Sequence, residues 1–182
     1  MRVFDSDGRE RTRFEIAEAT NVDMSWFGSS VPGPVAFTHD DRNLLVATND
    51  GAVTLLSRNG QRLSSWPEPM DVTGLACSGQ GLVTRATDGR VRIWRWDGRL
   101  VHKGDESGLV EEVAMDQSGN VATVSRDGRV RVLSPVGRVI GSASAAGRPV
   151  GVGAGPRGTV TVTDGGVVQR WVSPLTGTGG AR

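Results

Sequence analysis

Asp-Gly pairs recur at residues 50–51, 88–89, 127–128 and 164–165, at spacings of 38, 39 and 37 residues. Self-similarity at a period near 40 means that one supersecondary unit is being stacked, and it narrows the possible folds more than any composition does. Asp-Gly is the strongest two-residue hairpin signal. A type I′ turn needs positive φ at both central residues, which Gly adopts without a Cβ clash and Asp tolerates. Asp50, Gly51, Asp88, Gly89, Asp127, Gly128, Asp164 and Gly165 are therefore read as structural turn residues, with each carboxylate accepting from nearby backbone N–H groups. A second turn glycine follows ten residues after each of the first three Asp, at Gly60, Gly98 and Gly137.

The segments between these turns alternate as strands do. AVTLLS, RVRIWR and RVRVLS lie between the paired turns, and NLLVATN, GLVTRAT, NVATVSR and TVTVT precede each Asp-Gly. A further apolar strand comes before each of those (PVAF, VTGLA, VEEVAM, VGVG), and a fourth comes after the second turn (QRLSSW, RLVHKG, RVIGSA). One unit is strand a, turn, strand b, Asp-Gly, strand c, turn, strand d. Four antiparallel strands per unit of just under 40 residues is the signature of a β-propeller blade. The expected fold is all-β, a partial or small propeller of about four blades.

The run DGRVRIWRWDG, residues 88–98, resembles the end of a WD40 repeat, with Trp94-Arg95 at the place of the name-giving Trp-Asp pair. Leu56-Ser57 and Leu133-Ser134 stand there in the neighbouring units, and the Gly-His dipeptide before strand a is missing. The resemblance spans about residues 34–172 and implies WD40-like blades without the usual Asp–His–Ser/Thr–Trp hydrogen-bond network. The turn DQSGN is similar to that of NHL-type propeller repeats.

The organisation expected is an N-terminal c–d strand pair at 1–14, an insertion or loop at 15–33, blades at 34–69, 70–107 and 108–146, a fourth blade lacking strand d at 147–172, and a flexible tail at 173–182. RVFDSDGR at 2–9 lines up with RIWRWDGR at 92–99, so the chain opens inside a strand c. SPLTGTGGAR replaces the last strand d with Pro and Gly that argue against a ladder. A spare strand at one end and a missing strand at the other raise four outcomes: a closed small ring, a homodimer of half-rings, completion by a different chain, or a fragment of a larger chain. Completion by a partner is favoured, because it removes exposed strand edges.

Function is bounded more by exclusion. Basic and acidic residues number 21 and 20, which speaks against a nucleic-acid groove or membrane patch. Arg90, Arg92, Arg129 and Arg131 on strand c are the one stripe that phosphates could follow, and the ordinary reading is that their stems cover apolar surface between blades. Cys77, the single cysteine, is read as a small buried hydrophobe. His39 and His102 fall in different units and assemble no catalytic pair. DSDG at 5–8 and GAGPRG at 153–158 are hairpin turns by phase, not calcium or phosphate loops. No cofactor or metal is expected. An enzyme site in a central channel would need carboxylates or His at matching places of strand a, where Glu112 stands alone.

The expected function is a non-enzymatic scaffold for protein–protein interaction, a cytoplasmic subunit of a bacterial multi-protein assembly. Almost exclusive use of Arg over Lys points to a high-GC bacterial source. Candidate partner-binding residues lie on the d–a loops: Trp66 and Met70 in SWPEPMD, Lys103, Glu111 and Glu112 in KGDESGLVEE, and Arg148 in ASAAGRP. Trp66 is the anchor candidate, since a large aromatic among Ser and Pro gives contact area at low entropic cost; the alternative reading is that it packs under its own loop. Glu111 and Glu112 offer charge to a basic partner.

Overall fold

Period-two alternation between the repeated turns becomes seventeen strands, with no helix among the described residues. The computed structural model describes residues 2–4, 7–13, 34–48, 51–104 and 110–172. It separates into two compact units, Met1–Val72 and Thr73–Arg182. In the first, β1 (Arg2–Phe4) pairs antiparallel with β2 (Glu10–Arg13), and β3 (Val35–Phe37), β4 (Asn43–Thr48), β5 (Ala52–Ser57) and β6 (Arg62–Pro67) form a four-stranded meander. In the second, β7 (Val72–Ser78), β8 (Gly81–Ala86), β9 (Val91–Trp94) and β10 (Leu100–Gly104) form another. A third comprises β11 (Val110–Met115), β12 (Val121–Ser125), β13 (Arg129–Leu133) and β14 (Val139–Ser144). The last sheet has three strands, β15 (Pro149–Gly155), β16 (Gly158–Thr163) and β17 (Val168–Trp171). The four meanders are called blades 1 to 4.

The Asp-Gly turns hold strand c between b and d, but not as type I′ turns. The Ala86 N–H donates to Arg90 O and the Gly89 N–H to Ala86 O, at 3.3 and 2.9 Å. Gly89 is left-handed at φ 72°, while Asp88 is not; among described non-glycine residues only Asp41 has positive φ. That is a three-residue loop, a type I turn closed by a left-handed glycine bulge. Asp therefore keeps negative φ, and its carboxylate accepts the N–H two residues on: Arg90 to Asp88, Arg129 to Asp127 and Arg99 to Asp97, at 3.0 to 3.1 Å.

Blade 4 departs further. There the Thr163 N–H donates to Val167 O and the Gly166 N–H to Thr163 O, and Gly166 is the left-handed residue. Asp164 and Gly165 thus sit one place early and do not repeat the roles of Asp88 and Gly89. The Thr163 Oγ1 accepts from the Val167 N–H instead, at 3.1 Å. In blade 1, Gly51 is left-handed at 77°, and Asp50 lies outside the described residues.

The b–c pairing has one register throughout. Leu44 faces Leu56, Leu82 faces Trp94, Val121 faces Leu133 and Thr159 faces Trp171. Two residues along, Val46 faces Thr54, Thr84 faces Arg92, Thr123 faces Arg131 and Thr161 faces Gln169. Half of the network expected to be missing therefore forms. The Trp94 Nε1–H donates to Thr84 Oγ1 at 3.3 Å, and the Trp171 Nε1–H to Thr161 Oγ1 at 3.0 Å. Blade 1 replaces both partners with apolar groups, Val46 and Leu56. Blade 3 replaces only the Trp, and the buried Thr123 Oγ1 is left without a hydrogen bond.

Within the second unit, the faces of blades 2 and 3 opposite the Trp or Leu position are covered by the next blade. Val83, Val91 and Ile93 of blade 2 pack with Val110, Val113, Val121 and Leu133 of blade 3. Val124 and Val130 of blade 3 pack with Trp171 of blade 4. A Cβ on Gly137, in the c–d turn of blade 3, would lie 2.0 Å from the His102 ring of blade 2, so His102 is a packing residue between blades.

Thr84→Val and Thr123→Val separate the two kinds of blade. The first strips the acceptor from a buried indole N–H and should cost about 1–2 kcal/mol, whereas the second removes an unbonded hydroxyl and should be neutral or stabilising by up to about 1 kcal/mol. Urea unfolding of both variants checks the difference.

Candidate functional site

At the end of the second unit where b–c turns and d–a connections meet, a cleft of about 390 Å³ is lined by Thr73, Arg85, Glu111, Glu112, Arg126 and Val150. Its walls are built by β7, β8, β11, β15 and the turns flanking them, so Arg85, Glu111 and Glu112 stand on paired strands while Arg126 stands on the b–c turn of blade 3. The Glu111 carboxylate accepts from Arg126 Nε at 2.8 Å and from Arg148 Nη2 at 2.9 and 3.2 Å. Hydrogen bonds from Arg126 and Arg148 hold the Glu111 carboxyl below its usual range, and Glu111 in turn raises the Arg148 guanidinium above its own. Arg126 and Arg148 remain more than half exposed, at 64% and 54% of their side chains. Across the cleft, Arg85 donates through Nη1 to Val110 O at 3.1 Å and through Nη2 to Thr73 O at 3.0 Å. Burial pulls its guanidinium below the ordinary value, and the neighbouring Glu112 and Glu111 oppose that pull.

Of the residues singled out from sequence, Glu111, Glu112 and Arg148 belong to this cleft region, and two of them are partners of each other. Glu111 is thus engaged within the chain rather than held out to a basic partner. Trp66 is corrected: it is 0% exposed, on β6 opposite Val53, so it is core and not a surface anchor. Strand alternation turns it inward, a direction that composition of the SWPEPMD loop could not give. Met70, in the first unit, is 45% exposed. Lys103 is exposed on β10 itself, paired to Arg92, and not on a loop. Residues 105–109 lie outside the described residues.

Arg85 and Arg126 were not singled out. Arg85 carried a signal, since it stands in strand b where Val124 and Val162 stand in blades 3 and 4. A lone charge at an otherwise apolar register position marks a place where the blade meets something polar.

The strand-c Arg residues form no continuous exposed stripe that phosphates could follow. Arg92 and Arg131 are buried, at 2% and 7% exposed, and Arg92 pairs with both carboxylate oxygens of Asp88, at 3.4 and 2.5 Å. Desolvation pushes the Asp88 carboxyl up, but the Arg92 hydrogen bonds, the Arg90 N–H and two Arg charges outweigh it and leave it lowered. A lowered folded value stabilises the fold above the carboxylate range, and that contribution is lost as pH falls through it. Asp88→Asn should therefore cost about 2–4 kcal/mol at neutral pH by removing the carboxylate charge that pairs with the buried Arg92. The gap from wild type should close in acid, which thermal melts across a pH series will read.

Burial pushes the Cys77 thiol up to about 11, so at neutral pH it is a thiol and a poor nucleophile. Alkylation of Cys77 by iodoacetamide at pH 8 should be slow in the native protein and fast in denaturant. Rapid native labelling would show an open, activated thiolate instead.

A second cleft, of about 220 Å³, lies at the opposite end between blades 3 and 4, beside Asp116, Asn120, Pro156 and Trp171. Both Asp116 oxygens there accept from Asn120, at 2.8 and 2.9 Å. Among the described residues, no group of three or more His, Cys, Asp or Glu is placed to hold a metal. Among them too, no helix is long and apolar enough to cross a membrane.

No family model matches the chain, and no curated protein matches it. Solved structures do. U3-55K, itself a propeller, superposes with a TM-score of 0.70 at 18% identity, covering 81% of this chain and 51% of that one. The computationally designed Ika8 protein superposes with a TM-score of 0.68 at 23% identity, covering 81% of this chain and 47% of that one. The fold is that of a β-propeller. At these identities the likeness concerns the fold alone, and the chain spans about half the length of the solved structures it matches.

Proposed function

We propose that the chain is a non-enzymatic propeller scaffold, a subunit of a bacterial multi-protein assembly in the cytoplasm, and that another chain completes its array of blades. Its protein partner docks at the end of blades 2 to 4 where the b–c turns and d–a connections converge. The observation that carries this reading is the cleft and its rim, where Arg126 and Arg148 are oriented by one carboxylate while more than half of each side chain faces solvent. A charge held in place by its own chain loses little freedom when a partner arrives, so its contribution to binding is not offset by side-chain ordering. Arg is also the residue best suited to such contacts, with a planar fork that can meet a carboxylate or carbonyl while remaining paired behind. Rigid strands below and turns above place the cleft where a partner surface can reach it.

The test is affinity capture from the native host with tagged wild-type chain and the folded double variant Arg126→Glu/Arg148→Glu. Proteins that use the cleft should fall by at least about tenfold in the variant, the equivalent of ~1.4 kcal/mol. Equal recovery of every co-purified protein would place the docking surface elsewhere.

A further inference from the structure

The end of the second unit where Glu111 sits carries more guanidinium than it uses. Arg126 reaches Glu111 through Nε alone, and Arg148 through Nη2 alone. Among the described residues, Nη1 and Nη2 of Arg126 and Nε and Nη1 of Arg148 have no hydrogen-bond partner. Both arginines meet the same oxygen, Oε1, so their bonding nitrogens stand within two hydrogen-bond lengths of each other. Glu111 is 16% exposed against 64 and 54% for Arg126 and Arg148, so the carboxylate is the covered member of the group.

We propose that these two guanidiniums receive the carboxylate of an Asp or Glu side chain on the docking protein. The proposal rests on the reading that the cleft is a docking surface, and it gives the partner's chemistry there. Charge decides between occupants. At the cleft and its rim, Arg85, Arg126 and Arg148 face two carboxylates, Glu111 and Glu112. Arg85, held by its bonds to Val110 O and Thr73 O, balances Glu112. Glu111 is shared between the other two, which leaves one positive charge over. Asp164 acts on Arg148 only through space.

A single carboxylate neutralises that charge, and both of its oxygens can be met by the planar fork of an arginine. A basic side chain would be brought against the exposed Arg126 and Arg148. A phosphoryl group carries about −1.5 to −2 at neutral pH, so it would set surplus negative charge beside Glu111 and Glu112. The surroundings add a second requirement. Val150 lines the same cleft and is 48% exposed, so the entering segment carries an apolar residue close in sequence to the acid, which covers the valine. Because both arginines are more than half exposed, the contact is open to screening, and affinity should fall as salt rises.

Random peptides displayed on phage and selected against the full chain test this. Recovered peptides should share an Asp or Glu with an apolar residue close by. A synthetic copy of a recovered peptide, followed by fluorescence anisotropy, should bind at least about tenfold more weakly once that acid is changed to its amide. It should lose a similar factor on Arg126→Gln/Arg148→Gln, whose melting temperature controls for folding. The acid-to-amide comparison is made on the unaltered chain, so it stands even if that variant is unstable. No recovered peptide, recovered peptides without a shared acid, an amide form that binds as well, or a phosphoserine form that binds more tightly each overturns the proposal. Capture from the host that depends on Arg126 and Arg148, together with an acid-to-amide change of no effect, removes this proposal and leaves the docking reading standing. Capture indifferent to both arginines removes the docking reading itself.

Discussion

A four-stranded sheet with apolar side chains on both faces cannot exist alone in water, and much else in this protein follows from that. The buried Val83, Val91 and Ile93 of blade 2 need blade 3, and Val124 and Val130 of blade 3 need blade 4. Area buried between neighbours is the main favourable term, so stability here is distributed along a line of contacts, as in other repeat architectures. The b–c register must then be the same in every blade, because a slip of one residue would exchange the two faces and break contacts on both sides. Turns inherit that constraint. The left-handed glycines at Gly89 and Gly128, and at Gly166 after its one-residue displacement, all serve to return strand c in the register the interfaces require.

Polar groups inside this stack are tolerated in proportion to how well they are paired. The Trp–Thr bonds of blades 2 and 4 satisfy an indole and a hydroxyl together, and blade 1 dispenses with both. Blade 3 is the intermediate case, with Leu133 beside an unbonded Thr123 hydroxyl. On strand c the same row carries Thr54, Arg92, Arg131 and Gln169, all buried. Arg92 is neutralised by the carboxylate of its own turn, while the Gln169 Oε1 accepts from the Ala146 N–H at 2.7 Å. Different side chains therefore solve one local problem, that of a buried polar position on strand c. The repeat is one of geometry more than of sequence.

The cleft proposed for docking and the open face of blade 4 draw on opposite properties of this architecture. At the strand ends, connections converge and place charges within hydrogen-bond reach, as Glu111 with Arg126 of the same blade and with Arg148 beside the first strand of the next. On the sheet face, alternation lines up one kind of side chain, as the exposed Val160, Val162 and Val168 of blade 4 show. A scaffold can use oriented charge of the first kind for recognition.

The period of the Asp-Gly pairs, the alternation between them and the second glycines determined the all-β architecture and the four strands of a unit, because strand direction and turn position are local properties of the backbone. They did not determine the turn type, since an Asp-Gly pair fits either a two-residue loop or the last places of a three-residue one, and only the cross-strand register decides. Nor could they show that Asp164 is one place early, as the residue after the pair, Gly166, is also a glycine. Trp66 was legible as a large aromatic near a loop, but its complete burial depends on which face of β6 is turned inward. The cleft was half legible: Glu111, Glu112 and Arg148 stood out as charges near connections, whereas Arg85 and Arg126 matter through blades far apart in the chain. Which side chains meet across blades, and which face is left open, was decided only by tertiary structure, because burial depends on the neighbour that folding brings and not on the residue's own strand.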